Sequence, residues 1–168
     1  MLIEGFPPIV GESARILILG SMPGVASLSK GQYYGHARNA FWPIMGELLG
    51  AWPGLAYAER QRILLANGIA VWDVVRRCFR PGSADAAIDN DSIETNDFLE
   101  FFERYRRIER VCFNGGTAEK LYKQRVLPGL KQRFDFIEYR RLPSTSPAYA
   151  MMSLSQKIDS WRCALIEG

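Results

Sequence analysis

The chain has 168 residues, 48% of them hydrophobic and 23% charged, and a formal net charge of +3. A chain of this length buries roughly two-thirds of its unfolded surface, so one core suffices and a single domain over residues 1–168 is expected. A composition close to the globular average excludes a disordered chain, and the small positive charge permits a polyanionic partner without requiring one.

The opening MLIEGFPPIV carries an acid where a secretory leader needs basic residues, and two prolines interrupt it. The apolar runs are too short to cross a bilayer, so a cytoplasmic protein with no membrane attachment is expected. Cys78, Cys112 and Cys163 lack the paired spacing of zinc or iron–sulfur ligands and read as reduced, packing thiols.

In chain order, RILILG (15–20) is an apolar, β-branched run ending at glycine, as suits a strand buried on both faces. It leads into GSMPG (20–24), where glycines allow close backbone approach and proline stiffens the turn. This loop lacks the lysine of a phosphate-gripping loop and the third glycine of a dinucleotide fingerprint, and a plain strand-to-helix turn fits it equally well. YYGHARNAFW (33–42) then precedes a helical pattern over 41–50 with Pro43 in its first turn. A second helix is expected over 57–68 with Gly68 as its stop, a strand over 69–75, and a long irregular connection over 77–92. A helix over 96–108 capped by Thr95 or Asn96, a strand at 110–116 and a helix over 117–127 capped by Thr117 follow. The last pair is an alternating strand within 134–144, nearer an edge, and a helix over 153–166 capped by Ser153 or Ser155.

Strands alternating with helices imply an α/β fold, a three-layer α/β/α sandwich around a central parallel sheet. Ligands bind beyond the carboxyl ends of such strands, and here those ends read GSMPG, WDVVRR, FNGG and LPSTSP. The special residues therefore gather at one sheet edge. Tyr34 offers a flat ring and Asn39 an amide that donates and accepts, which is what stacking a nucleobase and reading its edge requires. Asn39 also fits a helix N-cap, His36 a structural histidine, and Asp73 either a reader of the base or a cap of the turn after its strand. LPSTSPAYAMM (142–152) frames three hydroxyls with prolines and suits backbone phosphates, with Tyr149, Met151 or Met152 as a wedge; a surface turn leading into core methionines fits it too. Arg76, Arg77, Arg80, Arg140 and Arg141 are expected to flank the same edge.

Taken together, ILILGSMPG, YYGHARNAFW, IAVWDVV, RPGSADAAI, FNGG and LPSTSPAYA resemble the uracil-DNA glycosylase superfamily, most closely its hypoxanthine branch and next its mismatch-specific uracil branch. The resemblance spans nearly the whole chain. It implies a four-stranded parallel sheet between helices, neither metal nor other cofactor, and hydrolysis of the bond joining a deaminated base to deoxyribose in DNA. The DNA would be double-stranded, with single strands a further option, and the enzyme a monomer. Gly20, Ser21, Met22, Pro23 and Gly24 would line the base pocket with Tyr34, His36 and Asp73, and Asn39 would be the catalytic asparagine. Pro143, Ser144, Thr145 and Ser146 would pinch the DNA backbone, leaving any intercalating wedge to Tyr149. Met22 and Leu142 depart from the uracil-specific pattern, in which carboxylate or amide and imidazole stand at those places. Met22 activates no water, so a non-catalytic DNA- or nucleotide-binding domain, or an unrelated hydrolase of small nucleotides, are the competing expectations.

Overall fold

The computed structural model describes residues 2–130 and 132–168. In chain order its elements are β1 (Leu2–Glu4), β2 (Ile16–Gly20), α1 (Val25–Lys30), α2 (Phe41–Leu49), α3 (Tyr57–Ala66), β3 (Ile69–Asp73) and β4 (Val75–Phe79). There follow β5 (Glu94–Thr95), α4 (Phe98–Arg104), β6 (Arg110–Asn114), α5 (Gly116–Arg125), β7 (Glu138–Leu142) and α6 (Leu154–Arg162). Among the described residues no helix is long and apolar enough to cross a membrane.

Four strands form a parallel sheet in the order β3-β2-β6-β7, with β7 at an edge as its alternating sequence suggests. Successive side chains leave opposite faces of a strand, and both faces are apolar. Leu17, Leu19, Ala70, Trp72, Val111 and Phe113 join one core with the aromatic residues of α4 and α5. Ile18, Val71 and Cys112 join a second core with Phe41, Met45, Leu64 and Trp161, from α2, α3 and α6. The result is a three-layer α/β/α sandwich. Strand order reverses beside β2, whose successor β3 lies on one side and β6 on the other, so a crevice opens at the carboxyl ends of β2 and β6.

The segment beginning at residue 77 is more regular than its sequence suggests. Val75–Phe79 is a strand, paired antiparallel with β1 and β5 in a second, three-stranded sheet. Its charged residues and a shift of register between Val75 and Arg77 erase the alternation by which a strand is recognised. A short helix, α1, also follows the glycine turn where none is evident from periodicity. The caps shift too. Helix α4 starts later and ends earlier than expected, because Asp97, rather than Thr95 or Asn96, accepts from the Glu100 amide. Helix α5 is capped by the backbone of Gly115 rather than by Thr117. Ser153 caps α6 through a reciprocal box with Gln156, as its sequence suggests. Cys78 and Cys112 are buried thiols, whereas Cys163 is exposed and its thiol donates to Glu167 Oε1.

Trp161 anchors α6 to the sheet: its ring is fully buried against Phe41, and its Nε1 donates to the Pro143 carbonyl at 3.0 Å. Trp161→Ala is expected to cost about 3–5 kcal/mol of stability, read as a lower urea midpoint at unchanged slope.

Candidate active site

A cleft of about 690 Å³ opens at the carboxyl ends of β2, β3 and β6. The GSMPG turn forms part of its wall and is tied down by the chain leaving β3. The Val74 amide donates to the Gly20 carbonyl at 2.9 Å and the Val75 amide to that of Ser21 at 3.0 Å. Gly20 and Asp73 are paired across the two strands. A Cβ at position 20 would stand 2.5 Å from Asp73 Oδ1 and 3.0 Å from the Tyr34 hydroxyl, so only glycine allows those two groups to converge. Ser21 donates through Oγ to Asp85 Oδ1 at 2.6 Å. Met22 touches the cleft yet is buried in the core, and brings no titratable group. The Pro23 carbonyl accepts from Arg80 Nη2 at 2.7 Å, and Gly24 caps α1 beside Ser83.

Tyr34, His36 and Asn39 all reach this cleft. Tyr34 has φ +54°, a left-handed conformation that costs a bulky residue about 1–2 kcal/mol and is held by its neighbours. Tyr33, buried next to it, donates through its amide to the Tyr57 hydroxyl and through its own hydroxyl to the Pro7 carbonyl; the Gly35 amide is held by Ser27 Oγ. The Tyr34 ring lies on Phe41 with centroids 4.1 Å apart and planes 22° apart, which fixes its plane and occupies one of its faces. His36 is exposed, and its Nδ1 accepts from the Arg38 amide at 3.0 Å. Asn39 lies one residue ahead of Ala40, the N-cap of α2, but its Oδ1 accepts from the Phe41 amide at 2.9 Å. Its carbonyl is thereby committed to a cap-like bond, and its Nδ2 remains as a donor.

Asp73 is only 4% exposed, and its Oδ2 has no hydrogen-bond partner. The turn after β3 is tied instead by Asn96, whose Nδ2 donates to the Asp73 carbonyl at 2.7 Å. Burial, and next the negative charge of Asp85, push the Asp73 carboxyl up to about 7, against a smaller opposing effect of Arg80. Burial and Asp73 together raise the Tyr34 phenol far above its ordinary range. The Tyr34 hydroxyl is likewise buried without a partner. Two orphaned polar groups around one glycine mark a site built for a polar ligand.

The loop after β7 divides its expected roles. Thr145 is buried, its hydroxyl accepting from Asn114 Nδ2 and its amide donating to Asn114 Oδ1, both at 2.9 Å. It holds the loop to the end of β6 and lines the cleft beside Ser144 and Ser146. The Pro143 carbonyl is taken by Trp161, while Ser144 and Ser146 line the cleft. Gly115 needs glycine for its φ of +94°, and a Cβ there would approach that of Ser144 to 3.1 Å. Tyr149 reaches the cleft half-buried; its carbonyl accepts from Lys157 Nζ at 2.8 Å, and the same ammonium lies 5.3 Å from its ring centroid. Met151, read as a core residue, is 87% exposed.

The arginines also separate. Arg77 is paired with Glu94 and Arg140 with Glu138, and Arg76 lines a second, smaller cleft beside Trp72. Arg80, 1% exposed, is a strut inside the protein, while Arg141 is exposed, 3.5 Å from Glu119. Asp85, Ser83, Asn114 and the amino end of α5 also line the cleft; the sequence placed them within the RPGSADAAI and FNGG stretches without giving any of them a role. The length of the irregular connection that carries Ser83 and Asp85 is a further advance signal. Among the described residues no group of three or more histidine, cysteine, aspartate or glutamate side chains is placed to hold a metal ion.

Comparison with known proteins agrees with this geometry. Residues 7–167 match the family model of the uracil DNA glycosylase superfamily. A hypoxanthine DNA glycosylase of Methanosarcina acetivorans is 38% identical over 146 residues, 80% of this chain and 91% of that protein. A hypoxanthine DNA glycosylase of Methanosarcina barkeri is 39% identical over 113 residues, 67% of this chain and 70% of that one. A Methanosarcina acetivorans protein solved in solution by NMR superposes with a TM-score of 0.75 at 34% identity, covering 96% of this chain and 98% of its own. With its parallel sheet, its glycine turn and a match over nearly its whole length, the chain belongs to the uracil DNA glycosylase superfamily.

Proposed function

We propose that this protein is a DNA glycosylase that hydrolyses the N-glycosidic bond of hypoxanthine extruded from DNA, with uracil and xanthine as further substrates. The observation that carries this reading is the convergence of the Asp73 carboxyl and the Tyr34 hydroxyl on Gly20, in a cleft that Asn39 also lines. The names of the Methanosarcina relatives support hypoxanthine as the preferred base.

A base inside a duplex is unreachable, so it must be extruded, and a mispaired deaminated base is the cheapest to extrude. The free face of Tyr34 stacks on the extruded ring without choosing among bases. Choice comes from hydrogen bonds: a protonated Asp73 donates to an acceptor on the base edge, and Asn39 Nδ2 donates to the base carbonyl. As the glycosidic bond breaks, negative charge grows on the departing base, so donors aimed at it stabilise the transition state more than the ground state. The amino end of α5, which no side chain caps, with Ser144 and Ser146, receives the flanking phosphates. Met151 takes the role of wedge, because Tyr149 is fastened by Lys157 whereas Met151 stands free.

Burial of Met22 in place of a charged or amide side chain favours one competing reading, a domain that binds an extruded base without releasing it. Incubation with duplexes containing hypoxanthine, uracil or xanthine, followed by alkaline cleavage of abasic sites, separates the two. Release from the hypoxanthine duplex is expected, and absence of release from all three overturns the enzyme reading.

Asn39→Ala should lower the single-turnover release rate by about 10²–10³-fold. The same change should cost only about 1 kcal/mol of stability, through the lost bond to the Phe41 amide. Met151→Ala should slow release from duplex while leaving release from single-stranded DNA unchanged, measured side by side. For Asp73 the native carboxyl value of about 7 lies above the 3.8 of an exposed one, so the folded chain keeps a proton that the unfolded chain has lost. Native stability therefore falls as pH rises between those values. Asp73→Asn should remove this slope and melt higher than the parent at pH 8 but not at pH 4, with a difference of up to about 4 kcal/mol.

A further inference from the structure

We infer that Asp85 is a catalytic carboxylate of this cleft, facing the sugar of the extruded nucleotide and taking the proton of the attacking water. This rests on the glycosylase reading above and adds to it the group that handles water, a role that neither Met22 nor Asn39 fills. Met22 has no titratable atom, and the Asn39 carbonyl is committed to the Phe41 amide.

The loop after β4 is irregular yet firmly fixed. After β4 the chain runs through residues 80–88 with only one turn of 3-10 helix, Asp85–Ala87. Three bonds nonetheless strap it to the glycine turn and the start of α1. Arg80 donates to the Pro23 carbonyl at 2.7 Å, the Val25 amide donates to Ser83 Oγ at 2.9 Å, and Ser21 donates to Asp85 Oδ1 at 2.6 Å. Ile88 closes the loop by entering the core. Spending a buried arginine to hold a loop makes physical sense when the loop must present something, and what it presents to the cleft is Ser83, Ala84 and Asp85.

Two carboxylates thus flank the glycine turn, Asp73 against Gly20 and Asp85 on Ser21, and their surroundings differ. Asp73 is buried, with an oxygen that finds no partner; Asp85 is exposed, and one of its oxygens receives a hydroxyl. A pair of acids placed in contrasting environments divides into a proton donor and an anion. The charge on Asp85 is one of the causes that raise Asp73, so the two sense each other across the cleft. The interior acid suits the leaving base and the exposed carboxylate suits the sugar, where positive charge develops.

The balance of the step is simple. The bond between C1′ and the base nitrogen breaks, and its electron pair leaves with the base. The oxygen of one water bonds to C1′, and its proton passes to the Asp85 carboxylate, which returns it to solvent. The base takes up one proton, and the sum is the addition of one water across the bond.

The test compares the parent with Asp85→Asn and Asp85→Ala on a hypoxanthine-containing duplex under single-turnover conditions between pH 5 and pH 9. Asparagine keeps an acceptor for Ser21 and hence the strap, so a merely structural role would leave its rate unchanged. The expected result is a loss of about 100-fold or more in release by Asp85→Asn. Its affinity for a duplex carrying an uncleavable abasic analogue should stay within about twofold, since general acid–base chemistry is not a binding contact. Added formate should restore part of the activity of Asp85→Ala. Release by Asp85→Asn at the parent rate overturns the assignment while leaving the glycosylase reading intact. So does a loss matched by lower melting temperature and weaker binding and unmoved by formate, which would make Asp85 a strap alone. A parent enzyme that releases no base from any duplex removes the glycosylase reading, and this role with it.

Discussion

The close approach of the Asp73 carboxyl to the α-carbon of Gly20 is the contact on which the rest of the site depends. Parallel pairing sets residues 20 and 73 level with each other, and the missing side chain at 20 leaves room for the carboxyl and for the Tyr34 hydroxyl. Any side chain there would separate the strands or push the acid away. Keeping an acid in an interior position without a partner is costly. That cost is tolerable where a ligand completes the hydrogen bonding, and burial holds the carboxyl's proton up to about pH 7.

Around this contact the loops are fixed by short, local ties. The chain leaving β3 pins the glycine turn, Arg80 straps the loop after β4 to it, and Asn114 clamps Thr145 through both of its amide atoms. Thr145 in turn receives the Ala40 amide on its carbonyl at 2.9 Å, which joins the loop after β7 to the start of α2 and so to Asn39. Four segments far apart in sequence become one rigid frame. Preorganised donors lose little on meeting a ligand, and this frame holds the cleft's donors in place.

The elements legible in the sequence were those with a strong period. The apolar runs of β2, β3 and β6 needed both faces covered, and the sandwich follows from that. Val75–Phe79 escaped because two arginines and a register shift hide its pairing, which only the neighbouring β1 and β5 reveal. Arg80 and Thr145 each have an internal partner that the sequence does not show. Each is a polar residue at a sheet edge, and by composition alone such a residue is as ready for a phosphate as for an internal partner. Burial decided both cases, and burial depends on residues more than 30 positions away.

What the sequence determined by itself was the α/β architecture, the edge at which the site lies, and the presence there of a glycine turn, an aromatic ring, an amide and a carboxyl. Periodicity, glycine placement and strand-end chemistry are local properties, and they can be read along one line of residues. Only the tertiary structure decided which polar atoms remain free. It turned the Asn39 carbonyl inward and left its amine, and it buried Asp73 without a partner. It also hung Asp85 from Ser21, a hydrogen bond across 64 residues. Hydrogen-bond satisfaction and desolvation are properties of packed neighbours, and no spacing within the chain encodes them.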